Sequence, residues 1–204
     1  MSTHPVLLLA ADGAVGVPLA AGLTERGHQV LSATTPDEGP AGVRAIVDAG
    51  SVAMAPAAGE LSTMEPDAWS AAAEEPLRRA LHVLQAAHRR LSGGGRILVL
   101  LPSLVANGAA GFVPWIAAAE GYRSLAKAAA RAWGPAGITV NCLLVPADLV
   151  AGKSLDRPGL QPPALGAVDI HAELAAVVAA LATGEMDGVT GQTIAVDGGV
   201  WMTP

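Results

Sequence analysis

Runs of strand length that are apolar at consecutive positions, separated by alanine-rich stretches of helical length, constrain this chain more than any other feature. VLLLA (6 to 10), HQVLSA (28 to 33), SVAMA (51 to 55), RILVLL (96 to 101), ITVNCLLV (138 to 145) and QTIAV (192 to 196) are such runs. A strand with one wet face alternates apolar and polar residues. Consecutive apolar positions therefore predict strands covered on both faces, in a parallel sheet between two helical layers. The stretches 16 to 26, 41 to 48, 66 to 91, 115 to 133 and 171 to 183 predict the covering helices. The whole pattern predicts a single doubly wound, Rossmann-like α/β domain over residues 1 to 204, with about six strands and right-handed crossovers.

Composition narrows the function classes. With 51% hydrophobic and only 15% charged residues, the 204-residue chain has ample apolar surface for a packed core. Its net charge of −6 repels phosphate backbones and anionic lipid, so no nucleic acid is expected as a partner. Residues 97 to 119 carry no charge and are long enough to cross a bilayer, but Pro102, Asn107, Gly108, Gly111 and Pro114 interrupt them. A buried strand, a loop and a helix start are predicted there, and no membrane segment. Cys142 is the one cysteine, which excludes an intrachain disulfide and a cysteine-based zinc site; a core role and a cytoplasmic setting are expected. The apolar run from Val6 is cut by Asp12 and reads as a first strand rather than a leader. No metal is expected, because the five histidines lack ligand spacing. His82, His88, Arg78, Arg79, Arg89 and Arg90 read as a solvated helix face. The polar, proline-rich segment from Ala147 to Pro163 reads as a long loop near the carboxyl ends of the strands, where such folds place substrate.

GITVN (137 to 141) and VTGQTIAVDGG (189 to 199), with GGGRILVLLPS (93 to 103) and PDAWSAAAEEPLRRALHVLQAA (66 to 87) between them, resemble the short-chain dehydrogenase/reductase family, especially its 3-oxoacyl-carrier-protein reductase branch. The resemblance covers nearly the whole chain and is weakest from Val30 to Ser51, where the family has a further strand and helix. A sheet edge shortened between the second and third strands is therefore expected. In that family a Tyr donates a proton as hydride passes between NAD(P)H and a carbonyl. A Lys four residues on lowers the Tyr pKa, a Ser orients the carbonyl, and an Asn anchors a water relay. Counting from GITVN, the Tyr position falls on Trp115, the Lys on Ala119, the Ser on Pro102 and, along the helix after Trp69, the Asn on Pro76. None of these residues can transfer a proton, and loss of a general acid alone costs about 10² to 10⁴ in rate.

No shift of register restores the set. Ser103 adjoins Pro102, but neighbouring side chains of a strand point to opposite faces. Tyr122 and Lys127 are five apart and share no helix face; a half-buried Tyr and a solvated Lys are expected. The resemblance also implies a cofactor loop T-G-x-x-x-G-x-G after the first strand, whose glycines admit the pyrophosphate. Here Leu9, Ala10 and Ala14 stand at the Thr and the first two Gly, and Gly16 alone remains, with Gly13 preserving a turn. Asp12 adds a carboxylate near the phosphate path, or serves as a helix cap. The family's N-N-A-G is matched to PAAG (56 to 59), and Thr34 and Thr35 close the second strand without an acid or Arg for the ribose.

These substitutions predict a catalytically degenerate homologue: a pseudoenzyme acting as a structural or partner subunit, with no cofactor expected. Trp115, beside Phe112 and Pro114, is expected to plug the former site, with room left by Ala119. Pro76 is expected to kink its helix. The resemblance implies assembly through helices 66 to 91 and 115 to 133 and through residues 192 to 202, as a homo-oligomer or with an active family member. The alternatives are a repurposed cyclase, isomerase or dehydratase acting on a small molecule, with Glu120, Asp148 and Asp156 as acid/base candidates, or a weak NAD(P)H-dependent 3-oxoacyl reductase.

Overall fold

The computed structural model describes residues 5–50, 60–151, 155 and 163–202. In chain order these form β1 (Val6–Leu9), α1 (Gly16–Glu25), β2 (Val30–Ala33), β3 (Ala45–Asp48), α2 (Pro66–Trp69), α3 (Glu75–Arg90), β4 (Gly95–Pro102), α4 (Val113–Trp133), β5 (Ile138–Val145), α5 (Ala147–Ala151), α6 (Ile170–Ala182) and β6 (Thr193–Ala195). The strands make one sheet in the order β2-β1-β3-β4-β5-β6, every pairing parallel. Because side chains alternate along a strand, Leu7 and Leu9 face a core beneath α3 and α4, while Val6 and Leu8 face one beneath α1 and α6. Alanines such as Ala80, Ala87, Ala118 and Ala126 bring the helices of the first core close to the sheet.

The third strand corrects the sequence reading. Residues 41 to 48 were expected as a helix, but Ala45–Asp48 pair in register with β1 and β4 and are buried throughout. SVAMA (51 to 55) and PAAG (56 to 59), expected as strand and motif, lie outside the described residues. After β3 the chain continues through Ala49 and Gly50. The β-branched Val43, Ile46 and Val47 were the available signal for a strand; the short run gives no periodicity.

The link from β2 across β1 to β3 is only residues 34 to 44, with a single 3₁₀ turn at Pro36–Glu38 where a crossover helix would normally pack. Glu38 Oε2 accepts from the backbone N–H groups of Thr34 and Thr35, fixing the turn. The link is strapped to the end of α3: Arg89 pairs with Asp37 at 3.0 Å, and Arg90 donates to the carbonyls of Gly39 and Pro40. These arginines were expected on a merely solvated face; they hold down the shortened edge. His88 likewise stacks on Trp133, ring centroids 4.6 Å apart, joining α3 to α4.

The best-preserved motifs are fold determinants. The Asn141 amide donates to the Val189 carbonyl (2.8 Å), and its Oδ1 accepts from Gln192 N–H (3.0 Å), clamping β5 to the approach of β6. Asp197 accepts from the N–H groups of Gly199 and Trp201, both at 3.0 Å. Such residues specify a backbone path whether or not chemistry survives.

Candidate functional site

The carboxyl ends of the strands carry the positions where the resemblance places catalytic groups. Pro102 ends β4 opposite Val145, and a 3₁₀ turn, Ser103–Ala106, follows. Trp115 enters in the first turn of α4 and is 2% exposed, packed edge-to-face on Phe112 with ring centroids 6.3 Å apart at 61°. Its indole belongs to the α1/α6-side core with Leu100, Leu104, Leu143 and Val145. Ala119, expected to make room for that ring, is buried in the opposite core beside Tyr122. Pro76 sits in the first turn of α3, directly after a π-helical turn, Ser70–Glu74. A wide turn there suits a residue that lacks an N–H and whose ring crowds the preceding carbonyls, so the expected kink takes the form of a π-turn.

Tyr122 is not half-buried, as expected, but fully enclosed, and its hydroxyl donates to Asp48 Oδ2 at 2.7 Å. The other carboxylate oxygen accepts from Gly50 N–H at 2.9 Å, and Asp48 itself is 2% exposed. Lys127 lies exposed further along α4. The pair therefore ties the end of β3 to α4 through the core. Sequence reasoning missed Asp48 because its strand was read as helix; an acid closing an apolar run before Ala-Gly was the only signal. Tyr122→Phe deletes the donor and keeps the ring, so it should lower stability by about 2 kcal/mol, the scale for a buried hydrogen bond to a carboxylate. Urea denaturation checks this.

The loop after β1 has an unusual backbone. Ala10 has φ 58°, the left-handed region that glycine occupies freely, at the position of the family's first loop Gly. Its methyl points at Gly50: a Cβ on Gly50 would stand 2.7 Å from it. Gly16 packs against the same loop, where a Cβ would meet Ala10 O at 2.1 Å. Asp12, offered as a cap, caps nothing: the N-cap of α1 is Val15, with no side-chain capping bond, and Asp12 is exposed. It lines instead a cleft of about 630 Å³ with Thr34, Asp48, Arg79, His82 and Arg89. This cleft runs under the shortened crossover along α3, and it takes in three residues, Arg79, His82 and Arg89, expected only on a wet surface.

The other acid/base candidates are not brought together. Glu120 pairs with Arg123 at 2.6 Å on the outer side of α4. Asp148 Oδ1 accepts from Leu155 N–H at 3.0 Å, which ties the carboxylate to Leu155. Asp156 lies outside the described residues. Burial pushes the Cys142 thiol up to about 12, so it is a core residue and no nucleophile. Among the described residues no group of three or more His, Cys, Asp or Glu side chains suits a metal ion, and no helix is long and apolar enough to cross a membrane.

The family model described as enoyl-(acyl carrier protein) reductase matches residues 47–201, from the end of β3 past β6. The chain belongs to the short-chain dehydrogenase/reductase family. Among curated relatives, 3-oxoacyl-(acyl-carrier-protein) reductase FabG of Salmonella typhimurium is 32% identical over 150 residues, which is 70% of this chain and 61% of that protein. The same-named protein of Chlamydia muridarum is 28% identical over 147 residues, 69% of this chain and 59% of its own. The chain thus spans about three-fifths of the length of the relatives it matches. Two solved structures share the fold. Gluconate 5-dehydrogenase from Burkholderia cenocepacia, in complex with NADP and tartrate, superposes with a TM-score of 0.79 at 20% identity, covering 98% of this chain and 96% of that one. Acetoin dehydrogenase from Enterobacter cloacae gives 0.72 at 19% identity, covering 99% of each. As a member of this family the chain keeps the doubly wound sheet, with the crossover between β2 and β3 reduced to a turn.

Proposed function

We propose that this short-chain dehydrogenase/reductase homologue is a non-redox member of its family, a pseudoenzyme serving as a structural or partner subunit. The observation that carries the reading is Trp115: an indole closed into the core stands where the family's proton donor is placed. The reductase names of the relatives point to ordinary carbonyl reduction in those proteins, and the argument against it here is chemical. Pro76, Pro102, Trp115 and Ala119 supply neither a proton donor nor a cation to stabilise a phenolate.

The residues at the loop do not fit a dinucleotide. The Ala10 methyl stands over Gly50, Ala14 replaces a second glycine, and Asp12 adds negative charge beside the phosphate path. NADH and NADPH are therefore expected not to bind; a dissociation constant in the low micromolar range by titration calorimetry, about −8 kcal/mol, would overturn this. The double variant Trp115→Tyr/Ala119→Lys is likewise expected to gain no turnover of a 3-oxoacyl substrate. Turnover would mean that the cofactor site is intact and that only the proton donor was lost.

A partner-subunit role requires assembly. Leu125 and Trp133 on α4 are only partly buried, and Leu81 on α3 is exposed, which leaves apolar surface on both long helices for a second copy or an active family member. Light scattering at micromolar concentration should give a mass above the 20.3 kDa of one chain. A monomer would contradict the homo-oligomer. A second reading, a repurposed small-molecule enzyme, is favoured by one observation: the 630 Å³ cleft collects Asp48, Arg79 and His82 at one sheet end.

A further inference from the structure

On the side of the molecule away from Trp115, the outer face of α4 and the approach to β6 enclose a groove. Arg123, Lys127 and Arg131 stand four residues apart, one above another and separated by about 6 Å of helix rise. Facing them is the segment Thr190 to Thr193. Two clefts meet along this line, sharing Lys127, Gly191 and Gln192. The larger, about 530 Å³, is bounded by Lys127 and Arg131; the smaller, about 350 Å³, by Val105, Leu144, Thr193 and Trp201, with Glu120 and Arg123 at its rim.

We propose that this groove binds a small organic anion, a phosphate monoester or carboxylate carrying an apolar or aromatic body. Three of the chain's 12 cationic side chains fall within nine residues of one helix, in a protein of net charge −6. Of the three, only Arg123 has an acidic partner, Glu120; Lys127 and Arg131 have none within ion-pair distance among the described residues. Cations gathered along a concave surface focus potential more than the same charges on a convex helix, so the groove attracts an anion that the rest of the surface repels. An independent observation comes from the opposite wall. Thr193 lines the smaller cleft, and its hydroxyl oxygen is buried with no hydrogen-bond partner among the described residues. It is a donor without an acceptor, and a phosphate or carboxylate oxygen bound beside Lys127 would supply one. Trp201 with Val105 and Leu144 supplies the apolar wall for the body. Val105 and Leu144 belong to the α3/α4-side core and Trp115 to the other, so this proposal does not depend on whether the chain has lost its redox chemistry.

The probe is phenyl phosphate, titrated into the full chain while backbone amide resonances of Gly191, Gln192 and Thr193 and the indole N–H of Trp201 are followed by NMR. Saturable shifts at these positions with a dissociation constant below about 1 mM are expected, weakened about tenfold in Lys127→Gln and in Arg131→Gln. Both side chains are exposed, so neither variant is expected to disturb folding. Inorganic phosphate, the head alone, and phenol, the body alone, should each bind more weakly than phenyl phosphate. Benzoate tests the carboxylate source, and the tighter of the two aromatic anions identifies the head group. Shifts that do not saturate, that persist unchanged in both variants, or that phenol or inorganic phosphate reproduces at equal concentration overturn the proposal.

Discussion

Trp115→Ala is expected to destabilise the protein by about 3 to 5 kcal/mol, the range for truncating a large aromatic residue in a filled core. The indole touches both the edge of Phe112 and the aliphatic layer of Leu100, Leu104 and Val145. Its neighbours come from β4, β5 and the start of α4, elements tied together by the sheet itself, so they cannot collapse into the space left behind. Guanidinium denaturation followed by far-ultraviolet circular dichroism measures the loss without relying on tryptophan fluorescence. The same variant tests the packing role on which the pseudoenzyme reading rests. A subunit that uses Trp115 as packing loses stability and gains no ligand. A change below about 1 kcal/mol would overturn that role, because a side chain lining an open cavity has little buried area to lose.

The contrast between what was legible and what was not has a physical basis. β4 and β5 are eight-residue strands buried on both faces, and each announces itself by a mostly apolar run, broken in β5 only by Thr139 and Asn141. α1, α4 and α6 lie within two residues of their expected bounds, and the expected helix 66 to 91 is filled by α2, a π-turn and α3, because these alanine-rich sequences are long enough to show helical periodicity. β3 escaped detection because four residues, AIVD, carry no period, and its strand character comes from pairing with β1 and β4, partners remote in sequence. That single misreading hid Asp48, and with it the Tyr122 contact, which joins residues 74 positions apart. The replacements at the family's polar positions could be read by counting alone. Which core each replacement entered could not, since Trp115 and Ala119 are one helical turn apart and yet pack on opposite sides of the sheet. The clefts were illegible for a similar reason: all three depend on surfaces brought together by the fold, not on any local motif.

Gly16→Ala should be the most damaging glycine-to-alanine change among the described residues. The added carbon would lie 2.1 Å from the carbonyl oxygen of Ala10, 2.7 Å from Ala11 Cα and 2.8 Å from the Ala11 carbonyl carbon. All three are backbone atoms, which cannot swing aside as a side chain can. Relief requires α1 to move off the end of β1, and with it the contacts of Leu19 and Leu23 beneath α1 and α6. A cost of about 3 kcal/mol or more is expected, at or above the usual range for overpacking. Gly13→Ala, three residues earlier, meets only the Ala10 oxygen at 3.2 Å and should cost far less. Ala10→Gly should act in the opposite direction. It releases a left-handed Ala, a strain of about 1 to 2 kcal/mol, against roughly 0.5 to 1 kcal/mol of added chain entropy in the unfolded state. The net is a gain of about 0.5 to 1 kcal/mol, readable as a shift in denaturation midpoint. The same variant removes the methyl over Gly50. With Trp115 still closing the far end of the site, it should become more stable without acquiring affinity for NADPH, and binding by Ala10→Gly alone would assign the loss of the cofactor to one methyl group.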